Sequence, residues 1–174
     1  MKRFLAGLLF AGAICAQIPS PSPTVPQREK PFMDPLLDNL VGDWHVARKF
    51  GSGRTAENTV HAEWVLGHQF LELHYRDAET PPTYEAMVFI GFDNKLHRYV
   101  MHWIDVYGGT RSQTLGTGTL DEIAHTIYFQ FNYPEAQFMN AYAYDPASKT
   151  WTSVMRQKSK GPWTLFAEDK FTRR

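Results

Sequence analysis

From residue 43 to the C-terminus the chain alternates between short runs rich in Val, Thr, Tyr, Phe and Trp and clusters of turn-forming residues, with no helical periodicity. The runs fall near 43–50, 55–66, 68–76, 83–93, 96–105, 110–119, 123–132, 137–144, 149–158 and 162–172. Gly51-Ser52-Gly53, Asp93-Asn94-Lys95, Gly108-Gly109, Tyr133-Pro134-Glu135, Asp145-Pro146-Ala147-Ser148 and Gly161-Pro162 suit hairpin connections between them. Parallel strands need crossovers of a dozen or more residues, and these gaps are too short. The pattern predicts one all-β domain, a single antiparallel up-and-down barrel of about ten strands, with a sandwich as the alternative. Prolines 81, 82, 134, 146 and 162 all fall in turns or at strand starts, where a missing N–H does no harm. No internal repeat of propeller or solenoid period is present.

Upstream, Met33–Leu40 predicts a short helix with Asp34 as N-cap and Pro35 at the first helical position. Leu36, Leu37 and Leu40 would share its apolar face, and Gly42 follows where a helix end favours glycine. Residues 17–35 carry prolines 19, 21, 23, 26, 31 and 35 among polar residues and read as an extended tether. Residues 1–16 have the shape of a secretory leader: Lys2 and Arg3, an uncharged apolar run from Phe4 to Ala13, then small residues around Cys15 and Ala16. Export to the periplasm or the extracellular space is expected, with cleavage after Ala16. Lipid anchoring through Cys15 is disfavoured, because Gly12 and Ile14 stand where a lipoprotein signal wants Leu and a small residue. The domain proper is then 36–174.

Cys15 is the sole cysteine, so a chain cleaved after Ala16 has no disulfide, no thiolate nucleophile and no cysteine-ligated metal. Loss of Lys2 and Arg3 leaves the acidic side chains slightly in excess, and no basic run remains. That balance argues against nucleic acid or anionic lipid as the main partner.

Strand alternation indicates which residues face inward. Val60, Ala62, Trp64 and Leu66 lie on one side of the second run, and Ile127, Phe129 and Phe131 on one side of the seventh. The third is ambiguous, with Leu71, Leu73 and Tyr75 opposing Phe70, Glu72, His74 and Arg76. In the fifth, His97, Tyr99, Met101, Trp103 and Asp105 share a face. Usable residues on both faces suit a barrel with a partly polar interior, as a ligand cavity requires.

Gly42-Asp43-Trp44 after a short helix, followed by up-and-down strands, resembles the calycin superfamily of lipocalin-like and fatty-acid-binding-like barrels. Trp64-Val65-Leu66-Gly67, Ile90-Gly91-Phe92-Asp93 and Trp103-Ile104-Asp105 narrow the resemblance to a bacterial family of exported, functionally uncharacterised calycin-like domains. The resemblance covers 36–174 and implies that Trp44 closes the barrel floor, with Arg173 its candidate partner from the final strand. The haem-binding nitrobindin-like branch shares the barrel, but its first strand typically continues with alternating glycines where Val46 and Arg48 stand here. Its axial histidine lies on a late strand, and no histidine follows His125. The resemblance therefore implies neither haem nor any other cofactor.

Seven histidines invite a metal reading. His68 and His74 would share a face but lie roughly 20 Å apart at the rise of a strand, beyond the reach of one ion. His97 and His102 point to opposite faces, leaving cross-strand pairs such as His45 with His61. Gly116-Thr117-Gly118 has no helix behind it to make a dinucleotide loop, and no nucleophile elbow exists. What survives is Glu72, His74, Arg76, Tyr99, Trp103 and Asp105 as polar groups orienting a small apolar or amphipathic ligand. An enzymatic reading would make Glu72 or Asp105 a general base, with His74 or Tyr99 as acid. A third makes them a buried network that fixes strand register without any ligand.

Overall fold

The structure, a computed structural model, describes residues 27–174; the expected leader and residues 17–26 lie outside the described residues. After a single helical turn, α1 (Pro35–Asp38), ten strands follow: β1 (Gly42–Phe50), β2 (Thr55–Val65), β3 (Phe70–Asp77), β4 (Glu85–Asp93), β5 (Arg98–Asp105), β6 (Gly116–Asp121), β7 (Thr126–Asn132), β8 (Gln137–Asp145), β9 (Thr150–Lys158) and β10 (Thr164–Arg173). Each pairs antiparallel with its sequence neighbour, and β1 pairs with β10, so the sheet closes into a barrel. Closure gives every strand a neighbour on both sides. The sixth strand begins at Gly116 rather than near residue 110. Gly108 and the residues after it form consecutive turns, with Gly108 N–H donating to Asp105 O, Arg111 N–H to Gly108 O and Ser112 N–H to Gly109 O.

The helix is shorter than its sequence pattern suggests but capped as expected. Asp34 Oδ1 accepts from Leu36 N–H at 2.9 Å and Leu37 N–H at 3.0 Å, with Pro35 opening the turn. Leu37 and Leu40 are fully buried, so the turn works as a stopper in one end of the barrel. Trp44 lies beneath it, and its Nε1 donates to Leu40 O at 2.7 Å. The Arg173 guanidinium stacks over the Trp44 ring at 3.9 Å and donates to Asn39 O at 2.8 Å. Trp44 and Arg173 thus latch the helix to the first and last strands.

Chain expected as tether also folds against this end. Phe32 stacks on Phe92 at 5.3 Å and meets Trp64 and Tyr99 edge-on, while its N–H donates to His68 O. Gln69 Nε2, donating to Glu29 O and Lys30 O, and Asn94 Nδ2, donating to Glu29 Oε2, hold the residues before this aromatic anchor.

Three hairpins at the plugged end share one construction. Asp93 Oδ1 accepts from Lys95 and Leu96 N–H, Asp121 Oδ1 from Ile123 and Ala124 N–H, and Asp145 Oδ1 from Ala147 N–H. Four positions after each aspartate comes a residue with positive φ: His97 at 48°, His125 at 48° and Lys149 at 54°. Histidine tolerates the left-handed region better than most residues. Two of the seven histidines are thereby explained by turn geometry, and His68, at φ 66°, occupies a comparable place between β2 and β3.

Inside, Trp44, Trp151, Tyr75, Tyr142, Phe129, Phe131 and Phe171 are buried and fill much of the barrel with rings. The inward faces read from β2 and β7 hold for Val60, Ala62, Ile127, Phe129 and Phe131, but Leu66 lies exposed in a turn. At the end away from the helix, inward positions carry the partly exposed Phe50, Trp103, Asp105 and Phe138. The wall is incomplete there: β5 pairs with β6 only through Tyr99↔Gly118, Val100↔Thr117 and Met101↔Gly116. His102–Asp105 have no β6 partner, and loop 106–115 passes in front of them, held by His102 Nε2 on Ser112 O at 2.7 Å.

Candidate functional site

Polar side chains form a belt across the barrel interior. Strand register alone aligns it: Arg48 on β1 faces Asp169 on β10, Asp169 faces Ser153 on β9, and Ser153 faces Tyr142 on β8. All four alternate inward with apolar neighbours such as Val46, Phe171 and Trp151. Arg48 grips Asp169 in a bidentate pair, Nε to Oδ1 and Nη2 to Oδ2, each at 2.7 Å, with exposures of 6% and 0%. Ser153 Oγ donates to Asn140 Oδ1 at 2.7 Å. The Tyr142 hydroxyl bonds that of Tyr75 at 2.8 Å, carrying the belt over to β3.

Aromatic rings enclose the ion pair. The Arg48 guanidinium lies 5.8–5.9 Å from the ring centres of Phe50, Tyr75 and Tyr84. Trp103 Nε1 donates to Tyr84 Oη at 3.2 Å, and Trp103 packs on Tyr75 at 5.3 Å. Burial works against the Arg48 charge, but the hydrogen bonds and field of Asp169 overcome it and raise its pKa. Burial holds the Asp169 carboxyl above its ordinary value, against the pull of Arg48. Arginine keeps its proton in proteins, and the symmetric fork identifies an ionised pair. Burial pushes the Tyr84 hydroxyl up to about 12 and raises Tyr75 and Tyr142 as well.

The belt is incompletely satisfied. Asn58 and Asn140 are 2% and 1% exposed, and the Nδ2 of each is buried without a hydrogen-bond partner, as is Trp151 Nε1. By register, Asn58 lies on β2 opposite Val46, one inward position from Arg48's level, and Asn140 lies one inward position from Tyr142. The two amides therefore flank opposite ends of the belt.

Of the residues singled out from sequence, Trp103 and Asp105 face inward at the open end, beside the gap between β5 and β6. Tyr99 also faces inward, but at the plugged end, where its hydroxyl donates to Asp34 Oδ2 at 2.5 Å. Asp105 and Tyr99 lie roughly 20 Å apart along one strand and do not form an acid–base pair. Tyr99 borders instead a groove of about 670 Å³ shared with Phe32, Met33, Leu36, Leu120 and His125.

Glu72, His74 and Arg76 stand on the outer face. Leu71, Leu73 and Tyr75 take the interior, and strand parity sends the residues between them outward. There His74 Nε2 meets Glu85 Oε1 at 2.5 Å and Arg76 Nε lies 3.4 Å from the same oxygen. A cavity pair of Glu72 with His74 is thus ruled out by the register. His45 and His61 are not opposed either: His61 faces Asp43 on one side and His74 on the other. Among the described residues no group of three or more His, Cys, Asp or Glu is arranged to hold a metal ion.

Arg48, Asp169, Ser153, Asn140 and Asn58 were absent from the sequence-derived set, although parity could have found two of them. Arg48 is in phase with Trp44 and Val46, and Asp169 with Ala167 and Phe171.

No helix among the described residues is long and apolar enough to cross a membrane. No curated protein matches the chain. Among solved structures it is similar to EF1p2_mFAP2b bound to DFHBI, at 11% identity and a TM-score of 0.40, over 80% of this chain and 97% of that one. The family model described as "Protein of unknown function (DUF1579)" matches residues 33–173, and the chain belongs to that family.

Proposed function

We propose that this is an exported, calycin-like barrel that binds a small apolar or amphipathic molecule at its open end, above the polar belt. The carrying observation is the buried Arg48–Asp169 pair, roofed by Phe50, Tyr75 and Tyr84 beside the partly exposed Trp103. A buried ion pair is a poor source of net stability, because each ion loses several kcal/mol of hydration. Apolar walls with a few convergent polar groups are the usual composition of a small-molecule site. The unpaired stretch of β5 beside Trp103 offers a way in through loop 106–115 rather than through the stoppered end.

Trp103 supplies apolar wall at this gap, so Trp103→Ala tests the assignment. The variant is expected to keep its β-sheet circular dichroism while losing a molecule that the wild type retains through detergent-free purification. Retention unchanged in Trp103→Ala would remove the open end as the binding site.

A further inference from the structure

Every buried side-chain polar atom left without a hydrogen-bond partner among the described residues is an N–H donor: Asn58 Nδ2, Asn140 Nδ2 and Trp151 Nε1 inside the barrel, and Arg98 Nε, in an ion pair with Asp93, outside it. No unpartnered acceptor accompanies them. Several acceptors of the belt already take a hydrogen bond: Asp169 Oδ1 and Oδ2 from Arg48, Asn140 Oδ1 from Ser153, and Tyr84 Oη from Trp103. Trp151 can only donate, so its shortage is independent of how the amides are oriented. An unpaired buried donor costs its full desolvation, so a surplus on one side of the ledger calls for a partner of the opposite kind.

From this surplus, and resting on the binding reading above, we propose that the ligand is a flat molecule rich in hydrogen-bond acceptors and poor in donors, of the carbonyl, lactone or ether class. Asn58 and Asn140 supply the donors that recognise it, at the two ends of the belt. Arg48 is itself held by Asp169 and the surrounding rings. A donor-bearing molecule would compete with the bonds those acceptors already take, and a hydrocarbon would leave both amides bare.

Coumarin and naphthalene share a flat two-ring body, but coumarin carries two acceptor oxygens and no donor. Burial of apolar surface alone favours naphthalene. Equilibrium dialysis of the full mature chain should show coumarin held about tenfold more tightly, because sites built for hydrogen bonds reject partners that lack them. Asn58→Leu should cancel that preference and raise Tm, since an apolar side chain of similar size removes an unpaired buried donor. Asn140→Leu should also cancel the preference, and it carries the test if Asn58→Leu does not fold. A preference for naphthalene in the wild type, or a coumarin preference that survives in the variants that fold, would overturn the proposal while leaving the binding site standing. Absence of binding by either probe would overturn both.

Discussion

Arg48 and Asp169 carry opposite charges into an interior lined mostly by aromatic and aliphatic side chains, and each depends on the other for its solvation. Removing one partner strands a charge. Asp169→Asn or Arg48→Met is therefore expected to lower unfolding free energy by about 3–5 kcal/mol in urea denaturation. The double change Arg48→Met with Asp169→Leu should regain most of that loss, because two apolar residues leave nothing unpaired. A double variant as unstable as the single ones would mean that the pair itself holds the barrel together. At this scale the sequence was partly legible. Parity with Trp44 and Val46 places Arg48 inside, but a charged residue at an inward position reads as an exception until its partner, more than a hundred residues away, is known. Asn58 and Ser153 are hidden for the same reason: small polar residues occur on either face, and only register decides.

Elements carry clearer signals. The Asp34-Pro35 start of α1, the turn clusters and the alternation of β7 all reappear in the fold. The third strand did not declare itself, since Phe70 and Leu71 both suit an interior and a one-residue slip exchanges the two faces. The junction between helix and barrel is where one residue matters most. Gly42 opens β1 at φ 118°, and a Cβ there would strike the Arg173 guanidinium that covers Trp44. Gly42→Ala should therefore cost about 1–3 kcal/mol through backbone strain and should loosen the stopper. Denaturant midpoints measure the first effect. Faster amide exchange at Leu37 and Leu40, compared with the β7–β8 hairpin, measures the second, and equal exchange in both regions would contradict the latch.

For the molecule as a whole, the closed sheet ties the tyrosine network to global stability. Burial raises Tyr75, Tyr99 and Tyr142 and takes Tyr84 to about 12. A phenol whose pKa is higher in the fold than in the open chain contributes stability that is complete below pH 10 and lost as pH rises through the folded value. Absorbance at 295 nm should thus show these four hydroxyls ionising only together with loss of β-sheet signal. Phenolate formation in all eight tyrosines near pH 10, with the fold intact, would contradict the buried belt. The barrel was legible in the chain because turn residues punctuate it so regularly. The inward polar belt was not, because cross-barrel partners such as Arg48 and Asp169 stand on strands that no local pattern joins.

Whether this barrel holds a small molecule is read by native mass spectrometry of the chain from Gln17. Material exported during expression and purified without detergent should show a discrete added mass that disappears on denaturation and is missing from Trp103→Ala. A wild-type spectrum with the bare chain mass alone, from a protein that also fails to take up coumarin or naphthalene, would contradict such binding.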